Sequence, residues 1–269
     1  MGNLEKRNNV VVRGHGQRTM MFAHGFGCDQ NMWHFIVPAF ENDYRILLFD
    51  HVGAGGSDLT TYSFDKYSSL RAYAQDIVEL GRAYDVRGGI FVGHSVAAMM
   101  GILAAIEAPD MFDALVLIGP SPCYINDGEY VGGFSRAQIE ELLEFLDSNH
   151  MGWSTHMAPV IMGNPDRPEL GEELTNSFCR TDPEIAKHFA RTTFFSDNRA
   201  DLPKVATPAL VLQCSEDVIA PEAVGQYVHR QLSKSRFVRM QATGHCPNLS
   251  APEETVTAMQ AFLREHRFL

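Results

Sequence analysis

The sequence is poor in cysteine, and its few cysteines are not arranged as metal ligands. The 269 residues include five of them, an odd number without a C-x-x-C pair, at Cys28, Cys123, Cys179, Cys214 and Cys246. We therefore expect neither a disulfide framework nor a zinc site. Scattered, reduced thiols of this kind are typical of a cytoplasmic protein.

Basic residues are also scarce. The chain has 22 Lys and Arg against 33 Asp and Glu, which gives a formal net charge of −11 at pH 7. Binding to the phosphates of nucleic acid requires clustered Lys and Arg, and the sequence has no such cluster. We therefore expect no nucleic-acid partner.

Long hydrophobic runs are missing as well. The longest nearly apolar stretch covers 96–106, which is about half of the roughly 20 residues that span a bilayer. The N-terminal segment MGNLEKRNN is polar and lacks the apolar core of a signal peptide. We therefore expect no membrane insertion and a cytoplasmic location.

What the sequence does contain is a series of short apolar runs bounded by Gly, Pro or Asp. They are rich in β-forming residues and occur near Val10, Met20, Ile46, Phe91, Leu115, Val211 and Val238. Their hydrophobicity is continuous rather than alternating, which is typical of strands covered on both faces. Helical patterns lie between them, over 67–84, 95–107, 221–231 and 253–265. The sequence therefore predicts an α/β fold with a mostly parallel, doubly wound sheet.

One region interrupts this alternation. Between 133 and 198 there is no strand pattern, only helical segments separated by proline-containing breaks. Asp182 before Pro183 has the pattern of a helix N-cap followed by a first-turn proline. We predict that 133–198 forms a helical lid inserted in a core made of 1–132 and 199–269. Such a lid would cover the site, because ligands bind beyond the carboxyl ends of the strands.

The clearest chemical signal is the segment Gly93-His94-Ser95-Val96-Ala97, which joins a predicted strand to a predicted helix. It matches the nucleophile-elbow pattern G-x-S-x-G except at Ala97, where the pattern has a second glycine. Alanine is the next smallest residue, so we expect the elbow to form with slightly more crowding. Taken alone, Ser95 is equally compatible with an ordinary helix N-cap.

Two residues further along the chain support a catalytic role for Ser95. Asp217 and His245 each follow a predicted strand, in the order serine, acid, histidine that this arrangement uses. Glu216 competes with Asp217, but the turn into Pro221 favours Asp217 as the residue that faces the site. The alternatives are a turn-forming aspartate and a surface histidine. We predict a Ser95–Asp217–His245 triad.

A glycine-rich turn at 23–27 supplies the fourth part of the predicted site. Acyl transfer develops a negative oxygen, and losing one of its N–H donors typically costs ~3 kcal/mol. We assign these donors to the backbone N–H groups of Phe26 and Val96, the alternative being a turn without a role. His24 is interpreted as a structural loop residue. The G-x-G in 50–58 lacks the rest of a dinucleotide fingerprint and is interpreted as loop geometry.

These motifs resemble those of a known superfamily. The chain is similar to α/β hydrolases, and within them to the RsbQ-type stress regulators of bacteria and to the plant strigolactone and karrikin receptors. The resemblance, which favours the RsbQ type, extends over GFGCDQNMW (25–33), FDHVGAGGSD (49–58), GHSV (93–96), GPSPCYIND (119–127), YVGGF (130–134), NPDRPE (164–169), TDPEIAKHFARTTFFSDNR (181–199), LQCSEDVIAP (212–221) and GHCPNLSAPEET (244–255). It implies an α/β-hydrolase fold, a V-shaped four-helix lid over an apolar pocket, and a complete triad. It also implies a role upstream of a PAS-domain phosphatase in sigma-factor control.

The content of the predicted lid favours a small hydrophobic ligand. Apolar side chains suited to a small-molecule pocket, each of which could instead belong to the core, occur at Phe134, Trp153, Met157, Phe194 and Phe195. We predict that His245 takes the proton of Ser95 during attack on an ester or lactone, with no metal or organic cofactor. Two roles stay open: a metabolic carboxylesterase, or a stress-signalling regulator that binds or slowly cleaves its ligand and engages a protein partner.

Overall fold

The computed structural model describes residues 2–269, and its centre is one seven-stranded sheet. The strands are β1 (Val11–Arg13), β2 (Arg18–Ala23), β3 (Tyr44–Leu48), β4 (Gly89–His94), β5 (Phe112–Ile118), β6 (Ala209–Gln213) and β7 (Ser235–Arg239). Their spatial order is β1-β3-β2-β4-β5-β6-β7. Only β1 runs antiparallel to its neighbour, and the other pairs are parallel. The mostly parallel sheet predicted from the continuous apolar runs is confirmed.

Ten helices accompany the sheet in the described part of the chain. They are α1 (Gly2–Arg7), α2 (Leu70–Ala83), α3 (Val96–Glu107), α4 (Arg136–Ser148), α5 (His150–Met162), α6 (Pro168–Arg180), α7 (Pro183–Phe194), α8 (Glu222–Gln231), α9 (Pro247–Ser250) and α10 (Pro252–Glu265). Short 3-10 turns cover Gln30–Trp33, Val37–Ala39, Leu59–Thr61, Lys66–Ser68 and Arg199–Lys204. Within 2–269, no helix is long and apolar enough to span a membrane.

The core lies on both faces of the sheet, as the runs of apolar residues require. In β2, Met20 and Phe22 pack into one hydrophobic cluster, whereas Met21 and Ala23 pack into the cluster on the opposite face. Successive side chains of a strand point to opposite faces, so a strand covered twice must be apolar at every position. Helix α3 is likewise buried along nearly its whole length and shows no polar stripe.

Helices α4 to α7 follow one another between β5 and β6, and we refer to 136–194 as the insertion. Helix α4 begins with a capping box between Ser135 and Gln138. Helix α7 begins at the predicted cap, where the Asp182 carboxylate accepts hydrogen bonds from the N–H groups of Glu184 and Ile185. These caps satisfy backbone donors that a helix start leaves free, so the helix starts are encoded locally.

Candidate active site

Ser95 occupies a strained turn between β4 and α3. Its backbone has φ 57° and ψ −125°, a conformation that costs of order 1–3 kcal/mol for a residue other than glycine. Its N–H donates to the Ile118 carbonyl over 2.8 Å. A Cβ on Gly93 would lie 2.8 Å from the Ala97 carbonyl oxygen, so glycine is needed there. The elbow geometry is present although Ala97 replaces the second glycine of the pattern.

The three predicted triad residues meet in one buried chain of hydrogen bonds. The Nε2 atom of His245 lies 2.7 Å from Ser95 Oγ, and its Nδ1 atom lies 2.7 Å from Asp217 Oδ2. Because the carboxylate can only accept, Nδ1 carries the hydrogen and Nε2 is left to accept the serine proton. The other carboxylate oxygen, Oδ1, accepts from the N–H groups of Ile219 and Ala220 over 2.9 and 3.0 Å.

The sheet explains why residues so distant in the chain meet. Ser95 follows β4, Asp217 follows β6 and His245 follows β7, and parallel strands end at the same edge. Gly119 follows the intervening β5 with φ +57°, and a Cβ there would lie 3.1 Å from the His245 ring. The Glu216 side chain, the competing acid, is exposed, so Asp217 alone of the two contacts the imidazole.

The main chain of His245 is held from two sides. Its N–H donates to the Ile161 carbonyl at the end of α5 over 2.9 Å. Its carbonyl accepts from His94 Nε2 over 2.8 Å. Burial, helped by the nearby His245, lowers the pKa of His94 to about 3, so His94 is neutral. Sequence reasoning missed both contacts, because neither spacing nor composition indicates them.

The two predicted oxyanion donors belong to segments that adjoin Ser95. Val96 is the first residue of α3, and the first N–H groups of a helix have no acceptor within the helix. The N–H of Phe26 donates to no protein group among residues 2–269. A Cβ on Gly25 would lie 2.6 Å from His94 Nδ1, so the turn at 23–27 packs directly on the elbow. The assignment of the Phe26 and Val96 N–H groups as oxyanion donors stays a prediction.

His24 ties this turn to the loop after β3. The N–H of His51 donates to His24 Nε2 over 3.0 Å, and His51 Nε2 donates to the His24 carbonyl over 2.9 Å. Burial lowers the pKa of both imidazoles, so both stay neutral and keep these donor and acceptor roles. His24 has a structural position, as predicted from its place in the loop.

Two glycine N–H groups of the loop at 50–58 donate to side chains of the same loop. The N–H of Gly53 donates to Ser57 Oγ over 3.0 Å, and that of Gly56 donates to Asp50 Oδ2 over 2.8 Å. A dinucleotide loop would offer such groups to a phosphate. Here a carboxylate and a hydroxyl of the chain occupy them, which agrees with loop geometry rather than a nucleotide site.

Ser95 and His245 open into a small, largely apolar cavity. The free volume is about 30 Å³ and the walls come from both the sheet edge and the insertion, namely Phe26, Cys28, His94, Ser95, Tyr124, Trp153, Ile161, Leu174, Phe178, Thr193, Phe194, Ile219, His245 and Cys246. That volume holds one or two waters, whereas pockets for drug-sized ligands have roughly 300–1,000 Å³. A substrate therefore enters only if side chains of the insertion move.

Aromatic rings line the cavity. Trp153 and Phe178 stack with centroids 5.6 Å apart, and the Phe26 ring meets each of them edge-on at 5.9 Å. Phe194 adds a fourth ring 6.2 Å from Phe26. Aromatic pairs at such distances contribute roughly 0.5–1.5 kcal/mol beyond their buried area. Of the predicted pocket residues, Trp153 and Phe194 thus lie in the wall.

The other predicted pocket residues lie elsewhere. Phe134 and Met157 are half-buried and pack against the main hydrophobic cluster outside the cavity wall. Phe195 follows the last residue of α7 and is 39% exposed, with the Arg136 guanidinium 5.5 Å from its ring centroid. One residue is about 100° of helix rotation, so Phe194 faces inward while Phe195 faces solvent.

Metal-binding clusters and disulfides are absent from the described residues. No group of three or more His, Cys, Asp or Glu side chains within 2–269 has metal-ligand geometry. The five cysteines are free, and four are buried: Cys28, Cys123, Cys214 and Cys246. Burial raises the pKa of all four thiols, which disfavours the reactive thiolate.

The comparison with known proteins identifies the family. Residues 20–258 match the model of the Alpha/beta hydrolase family. The chain belongs to the alpha/beta hydrolase family. It is 36% identical to karrikin insensitive 2 receptor CA of Petunia hybrida over 96% of each chain. It is 37% identical to the strigolactone esterase of Arabidopsis thaliana over 94% of each chain.

A solved structure shows the same likeness in three dimensions. A hydrolase from Oleispira antarctica superposes with a TM-score of 0.95 at 41% identity, covering 98% of this chain and 97% of that one. The resemblance to α/β hydrolases, including the plant receptors, is confirmed. The RsbQ-type assignment stays a prediction.

Proposed function

We propose that the protein is a serine hydrolase that cleaves a small hydrophobic ester or lactone. The observation that carries this proposal is the unbroken hydrogen-bond chain from Asp217 through His245 to Ser95, 2.7 Å at each step. A buried serine whose hydroxyl lies within hydrogen-bond distance of an imidazole nitrogen has a base within proton-transfer distance. The apolar cavity beside it favours an uncharged substrate.

In the proposed mechanism, Ser95 Oγ attacks the carbonyl carbon while His245 Nε2 takes its proton. The resulting oxyanion accepts hydrogen bonds from the N–H groups of Phe26 and Val96. Asp217 stabilises the imidazolium, and its anchored Oδ1 keeps Oδ2 on Nδ1 throughout. The imidazolium then protonates the leaving alcohol. Water, activated by the same imidazole, hydrolyses the acyl-enzyme.

A substrate panel with a matched active-site variant tests the chemistry. We expect the wild type to hydrolyse p-nitrophenyl acetate and butyrate and small apolar lactones, with charged esters cleaved far more slowly. His245→Gln, which keeps a polar side chain but no base, should lose at least about 10³-fold in kcat. Equal turnover of charged and apolar esters would contradict the substrate class, whereas an active His245→Gln would contradict the mechanism.

We further propose that the protein acts as an RsbQ-like regulator, with 133–198 as its lid and a PAS-domain phosphatase as its partner. The names of the curated relatives, a karrikin receptor and a strigolactone esterase, support a protein that both binds and cleaves a small ligand. The narrow cavity supports slow turnover, because each cycle requires side chains of the insertion to move. The alternative is a metabolic carboxylesterase without a signalling partner.

A scan of exposed insertion positions distinguishes these roles. Charge reversals such as Arg136→Glu should leave ester hydrolysis within about twofold, as most surface substitutions do. At least one should alter the response of a stress-reporter strain if a partner recognises the insertion. If every folded variant signals normally while Ser95→Ala loses the response, product formation alone suffices and the metabolic role is favoured.

A further inference from the structure

The small volume of the cavity and the contacts of His245 place opposing demands on the insertion. Side chains of the insertion must move to admit a substrate, because the cavity holds only about 30 Å³. Yet the end of α5 is part of what holds the base, since the Ile161 carbonyl accepts the His245 N–H over 2.9 Å. A movement that carried this end away would withdraw the support of His245 when a substrate enters.

The side chains of Asn164 and Arg167 connect this end of α5, by hydrogen bonds, to the loop that carries His245. The Nδ2 atom of Asn164 donates to the Met162 carbonyl over 2.9 Å and to the Thr243 carbonyl over 3.2 Å. Its Oδ1 atom accepts from Arg167 Nη2 over 2.6 Å, and Arg167 Nη1 donates to the Ser250 carbonyl over 2.7 Å. The Asn164 amide and the Arg167 guanidinium thus connect the α5–α6 turn to both ends of 243–250, the segment that contains His245.

The backbones of the α5–α6 turn and of the loop that carries His245 touch without intervening side chains, and we refer to this contact between 162–164 and 243–244 as the junction. A Cβ on Gly244 would collide with the Met162 carbonyl oxygen, and one on Gly163 would lie 3.1 Å from Gly244 Cα. Asn164 itself has φ +58°, which asparagine tolerates better than most residues. The close approach of the two backbones therefore favours one fixed arrangement of the α5–α6 turn against the loop that carries His245.

Two other hydrogen bonds between the insertion and the core are simpler. Ser177 Oγ on α6 donates to the Gly27 carbonyl over 2.9 Å, and Thr192 Oγ1 on α7 donates to the Tyr67 carbonyl over 3.1 Å. Each is a single hydrogen bond from one side chain, which can break without moving the triad. The α5–α6 turn differs because its contacts lead directly to His245.

We propose that Asn164 and Arg167 are positioning residues that keep the α5–α6 turn fixed to the His245 loop while the rest of the insertion opens. They hold His245 Nε2 on Ser95 Oγ through the Ile161 carbonyl and the Thr243 main chain. This inference rests on the proposed function, in which His245 is the base. It predicts that loosening the junction slows the chemical step more than it weakens binding.

The test compares variants at the junction with a matched variant away from it. Asn164→Gly removes the amide but keeps the backbone freedom, and Asn164→Asp keeps the size but turns an acceptor toward two carbonyls. Thr192→Val removes one insertion-to-core hydrogen bond of the same kind on α7. Arg167→Met and Arg167→Lys form a second pair, in which only lysine retains a donor.

Both Asn164 variants should lower kcat for p-nitrophenyl butyrate about tenfold to hundredfold, as small misplacements of catalytic groups do, with KM within about twofold. In a Ser95→Ala background, Asn164→Gly should bind the uncleaved ester with unchanged Kd. Thr192→Val should keep both kinetic constants within about twofold of the wild type. Arg167→Lys should recover part of the kcat that Arg167→Met loses.

Two results would overturn the inference: folded Asn164 and Arg167 variants with wild-type kcat, or a loss in Thr192→Val as large as at the junction. If the Asn164 variants fail to fold, the Arg167 pair decides by the same criteria, with native circular dichroism as the check. Wild-type turnover in Ser95→Ala or His245→Gln would instead refute the proposed function, and the inference with it, because His245 would then not be the base.

Discussion

His94 Nε2 donates to the main-chain carbonyl of His245 over 2.8 Å, so the residue before the proposed nucleophile holds the proposed base. Because a carbonyl can only accept, the hydrogen of the neutral imidazole lies on Nε2. The side chain of His94 is 2% exposed, and its Nδ1 atom has no hydrogen-bond partner in the described part of the chain. Both the serine and the histidine of the site are thus tied to one short segment at the end of β4.

This contact predicts a difference between two substitutions of His94. His94→Gln can place an amide N–H near the position of Nε2, so kcat should stay within about tenfold of the wild type. His94→Leu has no donor and leaves the His245 carbonyl unpaired, at a cost of roughly 1–3 kcal/mol. We expect it to lower kcat by more than His94→Gln, with KM nearly unchanged. Equal kcat values for two folded variants would show that the hydrogen bond does not position the base.

Three buried histidines predict acid sensitivity of the fold. Burial lowers the pKa of His24, His51 and His94, the last to about 3, whereas histidine in an unfolded chain titrates near about 6.5. Below that pH the unfolded chain binds more protons than the folded one. The contribution of these histidines to the free energy of unfolding should therefore be fully present above pH 6.5 and decrease as the pH falls below it, by up to ~1.4 kcal/mol per pH unit for each histidine.

Urea unfolding between pH 7.5 and 5 measures this slope. His51→Gln preserves a donor for the His24 carbonyl but cannot titrate, so it should lower the slope by up to ~1.4 kcal/mol per pH unit. His156→Gln, at an exposed position on α5, is the matched control and should leave the slope unchanged. An identical slope in all three proteins would mean that His51 is not buried as a neutral group.

The turn at Ser95 predicts that alanine at position 97, in place of the second glycine of the elbow pattern, has little effect on catalysis. Ser95 already has φ 57° with alanine present, so Ala97→Gly should change kcat by less than about twofold. Glycine within a helix such as α3 costs roughly 0.5–1 kcal/mol relative to alanine, so the melting temperature should fall. Gly93→Ala is the contrasting variant and should fail to fold or lose activity, because its Cβ would meet the Ala97 backbone. A large rise in kcat in Ala97→Gly would show that crowding at Ala97 limits turnover.

The aromatic wall predicts that the size of the cavity limits the length of the acyl chain in the substrate. Phe178 is 3% exposed and stacks on Trp153, so Phe178→Ala should destabilise the protein by about 3–5 kcal/mol. The same variant should raise kcat/KM for p-nitrophenyl octanoate relative to acetate, because the acyl chain gains space. Phe145→Ala on α4, where the ring is 38% exposed, should change neither quantity appreciably. An unchanged octanoate-to-acetate ratio in Phe178→Ala would place the acyl chain elsewhere.

Much of the site was predictable because its proposed catalytic residues directly follow the ends of strands. Ser95, Asp217 and His245 each follow an apolar run, and parallel strands bring such positions to one edge. The wall of the cavity was predictable only in part. Composition identifies which side chains of the insertion are apolar, but the packing of the four helices decides that Phe194 faces inward and Phe195 outward.

The contacts that hold His245 could not be predicted from the sequence. His94 lies 151 residues from His245, and Asn164 lies 79 residues from Thr243. Their partners are main-chain carbonyls, which every residue has, so no residue type marks them. Only the fold brings these groups together.

Covalent labelling of Ser95 is the most direct test of the proposed catalytic role. The purified protein would be treated with a fluorophosphonate, which reacts with serines activated by a neighbouring base, and its peptides would be analysed by mass spectrometry. Our account predicts one phosphonylated peptide, modified at Ser95, with no labelling in Ser95→Ala and strongly slowed labelling in His245→Gln. Ester hydrolysis at the wild-type rate by Ser95→Ala, or labelling at another residue with Ser95 unmodified, would contradict it.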